Sequence, residues 1–250
     1  MKREQVYLST IDPEAARLAA QWDLGLEIAE YCTASNMDAD FPRMDREVRG
    51  KLALAGRCVF HGPFNELFPC AIDPKARELA DYRYRQAAAL AGTYGAARMV
   101  LHGGFTPAMY YPCWYTEQSV IFWREFLQRD PGIEICLENV MEPEPEMLAG
   151  IVEQVQDPRL GICLDIGHCN VYSQISVEQW LERLAPHIRH FHIHNNQGDA
   201  DTHSPLDCGS IPMGRLLERV EALCPQASIT LELPEAESSV RWLREQGILK

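Results

Sequence analysis

Apolar and β-branched residues gather in eight short runs along this chain, near 5–10 (QVYLST), 24–29 (LGLEIA), 57–61 (RCVFH), 98–102 (RMVLH), 133–138 (IEICLE), 160–165 (LGICLD), 188–194 (IRHFHIH) and 228–233 (SITLEL). Each has the length and composition of a buried strand. Between them lie stretches whose apolar residues recur at three and four, among them DPEAARLAAQW, PKARELADYRYRQAAALAGTYG, TEQSVIFWREFLQR, PEMLAGIVEQV, SVEQWLERL, PMGRLLERVEAL and ESSVRWLREQ. Several open on Ser, Thr, Asp or Pro, as helix starts do. Strand and helix alternating eight times predict an α/β chain with a parallel sheet, and eight repeats let that sheet close into a (β/α)8 TIM barrel. An open doubly wound sheet would need a Gly-rich turn after the first strand, and VYLSTIDP has none.

The 250 residues fit one such barrel, so residues 1–250 are expected to form a single domain. The longest loops are expected at 30–43, 62–74, 103–116 and 195–212, each after a strand, where a barrel builds its site. No apolar run approaches the roughly 18 residues of a membrane span, and MKREQVYLST lacks the apolar centre of a signal peptide, so a cytoplasmic protein is expected. The nine cysteines are scattered and never in CxxC spacing. Cys136 and Cys163 sit in strand patterns and are expected as buried small hydrophobes without a metal or redox role. A formal net charge of −13 argues against binding nucleic acid mainly through phosphate contacts, which need a basic face.

Six of the strand-like segments end on side chains that ligate metals: FHGP, LHGG, CLENV, CLDIGH, HFHIH and LELP. They supply His61, His102, Glu138, Asp165, His168, His192 and Glu232, and the loop GDADTH adds Asp201 and His203. Imidazole nitrogen and carboxylate oxygen suit Zn2+, Mn2+ and similar ions, and one catalytic ion takes about three or four protein ligands. Nine candidates are too many for one ion. A carboxylate ending an apolar strand, as Glu138, Asp165 and Glu232 do, must be paired, protonated or bound to a cation. Taken alone, His61 reads as a barrel histidine before a ligand, and AspThrHis as a solvated loop more often than a site. By period-two alternation His190 is expected to be structural, His194 a neighbour of the site, and His187 a surface residue.

The ordered run HGPF, LHGG, LENV, LDIGH, HIHNN, GDADTH and LELPE resembles the xylose isomerase-like TIM-barrel superfamily, which contains sugar isomerases and epimerases and the endonuclease IV family. The resemblance to the epimerase branch implies one Mn2+, Co2+, Mg2+ or similar ion on Glu138, Asp165, His192 and Glu232, with His168 facing the substrate. The resemblance to the endonuclease branch implies three Zn2+ ions on those residues plus His61, His102, His168, Asp201 and His203. The chain departs from the nuclease pattern in CysAsnValTyrSerGln after AspIleGlyHis, in AspThrHis, and in its shorter length.

The favoured expectation is therefore a sugar or sugar-phosphate isomerase or epimerase. In it Glu138 and Glu232 exchange a carbon-bound proton, His168 orients a hydroxyl, and a small carbohydrate is the partner, with nucleic acid not favoured and an oligomer allowed. Phe105, Tyr110, Tyr111 and Trp114 in the fourth loop are candidates to cover the apolar face of a sugar. The alternative is a multinuclear zinc phosphoester hydrolase in which Glu138 bridges two ions. Phe64 then stands about where such nucleases place an aromatic. A third expectation is a metal-binding remnant, which would gain weight if arginines such as Arg189 locked Glu138 and Glu232 in salt bridges.

Overall fold

A computed structural model describes residues 1–250. Eight strands, β1 (Val6–Ser9), β2 (Gly25–Ile28), β3 (Cys58–His61), β4 (Arg98–His102), β5 (Glu134–Glu138), β6 (Leu160–Asp165), β7 (Ile188–Ile193) and β8 (Ser228–Leu231), pair in chain order. Every pairing is parallel, and β8 closes on β1 through Val6 opposite Ile229. The (β/α)8 barrel expected from the strand and helix alternation is the observed fold.

Alternation along each strand divides its side chains between two environments. One set, including Leu8, Leu26, Phe60, Leu101, Leu137, Leu164, Phe191 and Leu231, belongs to the large apolar cluster shared with the helices. The other set faces the barrel axis in levels. Arg98 pairs with Glu134 at 3.2 Å and donates to Ser228 at the lower rim. Val100, Cys136 and Cys163 form a small apolar plug in the middle, as expected for the two cysteines. Above the plug, His102 lies opposite Glu138 in register, and Asp165 lies opposite His192. On β4, β5 and β6 the axial set turns from the apolar plug to ionisable side chains at the C-terminal ends, His102, Glu138 and Asp165.

The helices are α1 (Ala15–Trp22), α2 (Phe41–Ala55), α3 (Pro74–Thr93), α4 (Pro112–Gln128), α5 (Glu146–Val155), α6 (Ile166–Tyr172), α7 (Val177–Leu184), α8 (Met213–Leu223) and α9 (Glu237–Glu245). Two depart from the sequence reading. The pattern does not pick out α2, because its fifteen residues bury only Met44 and Val48 and present charge on the remaining faces. The stretch after AspIleGlyHis, read as a loop, is α6: Asp165 caps it by accepting from the His168 backbone N–H at 2.7 Å. The loop expected at 30–43 contains two short 3-10 turns, Glu30–Cys32 and Ala34–Met37, and ends where α2 begins. The fourth loop is shorter than expected because Pro112 opens α4.

Candidate metal centre

All nine expected residues meet at the C-terminal mouth. His61, His102, Glu138, Asp165 and His192 end or nearly end their strands, Glu232 follows β8 directly, His168 rides on α6, and Asp201 and His203 come over from the long β7–α8 loop. Seven of them line a cavity of about 570 Å³, while Asp165 and His192 form its floor and are fully buried.

The donor atoms fall into three groups. His61 Nε2 and His102 Nε2 each lie 3.4 Å from Glu138 Oε2. Around His192 Nδ1 stand Glu138 Oε1 at 3.1 Å, Glu232 Oε2 at 3.3 Å and Asp165 Oδ2 at 3.8 Å. His168 Nε2 and His203 Nε2 each lie 3.2 Å from Asp201 Oδ2. Glu138 thus offers one oxygen to the first group and the other to the second.

Backbone carbonyls set the orientation of three of the rings. Nδ1 donates to Gly62 O at 2.9 Å in His61, to Asn139 O at 2.8 Å in His168, and to Glu232 O at 2.7 Å in His203. A ring that spends Nδ1–H on a carbonyl turns Nε2 toward the cavity, which is how proteins aim imidazoles at ions. Asn139 contributes twice, since its side chain also clamps the Asp165 backbone, accepting from N–H and donating to C=O at 2.9 Å each. His192 is held the other way round, with Nε2 2.9 Å from Glu27 Oε1 inside the barrel.

Glu27 and Asn139 are the residues that sequence reasoning missed. Glu27 is fully buried, accepts from Thr230 Oγ1 at 2.6 Å and contacts His190 Nε2 at 3.0 Å. Its one sequence signal is a carboxylate in the middle of the strand pattern LGLEIA. His190, bonded also to Ser228, has the structural place expected of it. His194 neighbours the site as expected, 3.2 Å from Asp165 and stacked on His203 at 4.0 Å. Gly167 makes room for it, because a Cβ there would overlap the His194 ring at Cε1. His187 sits outside the site against Glu153.

The fourth-loop aromatics do not cover this cavity. Phe105 and Tyr110 are buried beside it, and Trp114 lies within α4 with its Nε1–H donating to Cys70 O at 2.9 Å. The aromatic wall is instead Phe64, stacked on His102 at 4.2 Å, and Tyr172. Arg189 contacts Glu134 at the lower rim, and no arginine pairs with Glu138 or Glu232. The arrangement that would have favoured a remnant is therefore absent.

Electrostatics fit a cation. Burial opposes ionisation of Glu138, but the charge of His192 and the hydrogen bonds from His192 and His61 outweigh it and hold the carboxyl well below its usual range. Asp201 is lowered in the same way by its bonds to His168 and His203. Glu138 Oε2 and Asp201 Oδ1 are nevertheless buried without a hydrogen-bond donor. Buried anionic oxygens without donors, near aimed imidazole nitrogens, are donors of the types that ions such as Zn2+ and Mn2+ take. Residues of the first and third groups present donor atoms within 4.8 Å of one another, close enough to hold an ion each.

Comparison with known proteins agrees with this architecture. The model of a family described as xylose isomerase-like TIM barrel matches residues 17–246. Uncharacterized protein MJ1311 of Methanocaldococcus jannaschii is 28% identical over 237 residues, covering 88% of this chain and 76% of its own. The structure of TTHB071 protein from Thermus thermophilus, soaked with ZnCl2, superposes with TM-score 0.78 at 27% identity over 97% of both chains. A D-tagatose 3-epimerase-like protein superposes with TM-score 0.80 at 24% identity, over 97% of this chain and 96% of its own.

Two outcomes are expected. Gly167→Ala pushes a methyl into His194 and should destabilise the fold by about 1–3 kcal/mol in denaturant titration; an unchanged midpoint would show that His194 yields freely. Burial works against a proton on His203, but the Asp201 hydrogen bond and the charges of Glu232 and Asp165 outweigh it, holding the pKa up to about 9. In metal-free protein that stabilisation is fully present below the unfolded value of about 6.5 and is lost as pH rises through the folded value. An ion needs the ring neutral, so the gain in Tm on adding Zn2+ should be larger near pH ~9 than near pH ~6. Equal gains at both would remove His203 from the ion's ligands.

Proposed function

Because the chain belongs to the xylose isomerase-like TIM-barrel family, we propose that it is a divalent-metal-dependent isomerase or epimerase of a small sugar. One observation carries this reading: two carboxylates from different sides of the mouth, Glu138 on β5 and Glu232 after β8, flank the same imidazole nitrogen of His192 and both line the cavity. Asp165 completes a group of three carboxylates and one histidine. An ion held there would supply Lewis-acid polarisation of a ketose carbonyl and its neighbouring hydroxyl.

The residues themselves do the rest. With the hydroxyl-bearing carbon beside the carbonyl acidified, one of Glu138 and Glu232 takes its proton and the other returns a proton to the opposite face. Glu138 is suited to begin as base, since it is held ionised. His168, tethered through Nδ1, turns Nε2 toward a substrate hydroxyl. None of the fourteen residues lining the cavity is lysine or arginine, so apart from the histidines of the metal centre itself a distal phosphate would find no cationic side chain. That favours an unphosphorylated sugar. The D-tagatose 3-epimerase-like protein and a D-psicose 3-epimerase crystallised with D-tagatose share the fold, which is compatible with a ketose substrate.

A second reading, zinc-dependent phosphoester hydrolysis, is favoured by Glu138 Oε2, which faces His61 and His102 rather than the group around His192. With His168, Asp201 and His203 as a further group, the mouth has donors for up to three ions, and such a centre would itself face a phosphate. The Zn2+ soak of the Thermus thermophilus protein makes zinc a reasonable first ion to test.

Transfer of the protein with ketoses into D2O tests the first reading. Deuterium should enter the carbon-bound position beside the carbonyl, and Glu138→Gln or Glu232→Gln should slow this by at least ~100-fold while metal is still bound. Full exchange in either variant would overturn the acid and base assignment. Elemental analysis of protein purified without added metal or chelator separates the two readings. One ion per chain supports the isomerase; about three zinc ions, with His61→Ala and His102→Ala each losing about one, support the hydrolase.

A further inference from the structure

A second cavity, of about 470 Å³, adjoins the metal cavity and plays no part in the mechanism above. Its walls include Phe105, Tyr110, Tyr111, Met141, Pro143 and Tyr172, and no charged side chain lines it. Tyr172 lines both cavities, and Val140 in one is the chain neighbour of Met141 in the other. The partition is thus one tyrosine ring and the turn that follows Glu138. The two cavities therefore share Tyr172 as a wall, and the groove begins on the far side of that ring from the metal cavity.

The lining specifies what fits there. Tyr111, Met141 and Tyr172 are exposed large side chains, Tyr111 by 80%, clustered beside the mouth of the site. Contiguous exposed apolar surface of this kind marks a binding surface. Tyrosine rings and proline edges offer flat apolar faces with hydroxyls at the rim, the pattern that receives a ring with one apolar face and polar edges. The absence of cationic and anionic side chains disfavours a phosphate, a carboxylate or an amine. A pyranose ring has the required apolar face and uncharged polar edge.

We propose that the substrate is a ketose carrying a second, uncharged sugar ring, and that the Tyr111–Met141–Tyr172 groove is the subsite for that ring. The inference rests on the isomerase reading and names its substrate class. The ketose unit occupies the metal cavity, where the proton beside its carbonyl passes to a carboxylate and is replaced from solvent. The glycosyl unit crosses Tyr172 and stacks in the groove.

The test uses metal-loaded protein in D2O with two free ketoses, D-fructose and D-tagatose, and two ketose disaccharides, isomaltulose and lactulose. Loss of the carbon-bound proton beside the carbonyl is followed by NMR. The better disaccharide should exceed the better free ketose in kcat/KM by about tenfold or more, through KM, as expected for one buried ring stacked on aromatics. Tyr111→Ala and Met141→Ala should each reduce the disaccharide-to-monosaccharide ratio severalfold. Exchange on free ketoses equal to that on the disaccharides, with the ratio unmoved in both variants, overturns the subsite and leaves the isomerase standing. No exchange on any of the four overturns the isomerase reading and the subsite with it.

Discussion

Carboxylates taken out of water at the mouth of a barrel must meet positive charge, and that requirement organises the rest of the site. Glu138 and Asp165 are essentially inaccessible, and an uncompensated ion in such a place costs several kcal/mol. Histidines answer the demand in two ways. As imidazolium they neutralise the acids directly, and as neutral rings they share a cation with them. The backbone tethers on His61, His168 and His203 serve either state, because they use only Nδ1 and leave Nε2 toward the carboxylates. The barrel supplies the remaining constraint, placing His102, Glu138 and Asp165 one level above the apolar plug of Val100, Cys136 and Cys163.

Much of this was legible in the sequence because both signals are local. A strand in a closed barrel is buried on both faces, so it reads as a continuous apolar run, and a polar residue at its C-terminal end stands out against that run. His61, His102, Glu138 and Asp165 were found by that contrast. Asp201 and His203 were not distinctive alone; only the order of motifs from HGPF to LELPE assigned them, and the β7–α8 loop does bring them to Glu232 and His168.

What was not legible depends on contacts between distant segments. Glu27 lies in the middle of β2, where a carboxylate has no sequence marker of its partners, and those partners, His190, His192 and Thr230, lie between 163 and 203 residues further along the chain. Asn139 reads as a turn residue after a strand, yet its side chain joins the ends of β5 and β6. The fourth-loop aromatics were expected over the metal cavity, but none of the four lines it: the early start of α4 at Pro112 places Trp114 within the helix, and Phe105, Tyr110 and Tyr111 line the neighbouring cavity. Residue type was informative in each case; direction was not.

The number of ions and the kind of substrate are then one variable rather than two. With a single ion beside His192, the nitrogens of His61, His102, His168 and His203 have no ion to face. Where the carboxylates hold protons on them, as for His203, they present N–H donors to the cavity, the groups that recognise sugar hydroxyls. With three ions the same nitrogens are spent as lone pairs and their N–H donors are lost, while the ions themselves could face a phosphate. His102 leans toward the second state, since burial and the neighbouring histidines push its pKa down to about 3 despite Glu138. His203 leans toward the first. A proton on Nε2 and an ion facing it exclude each other, so metal content and the protonation of these four imidazoles are linked, without any change in the backbone that carries them.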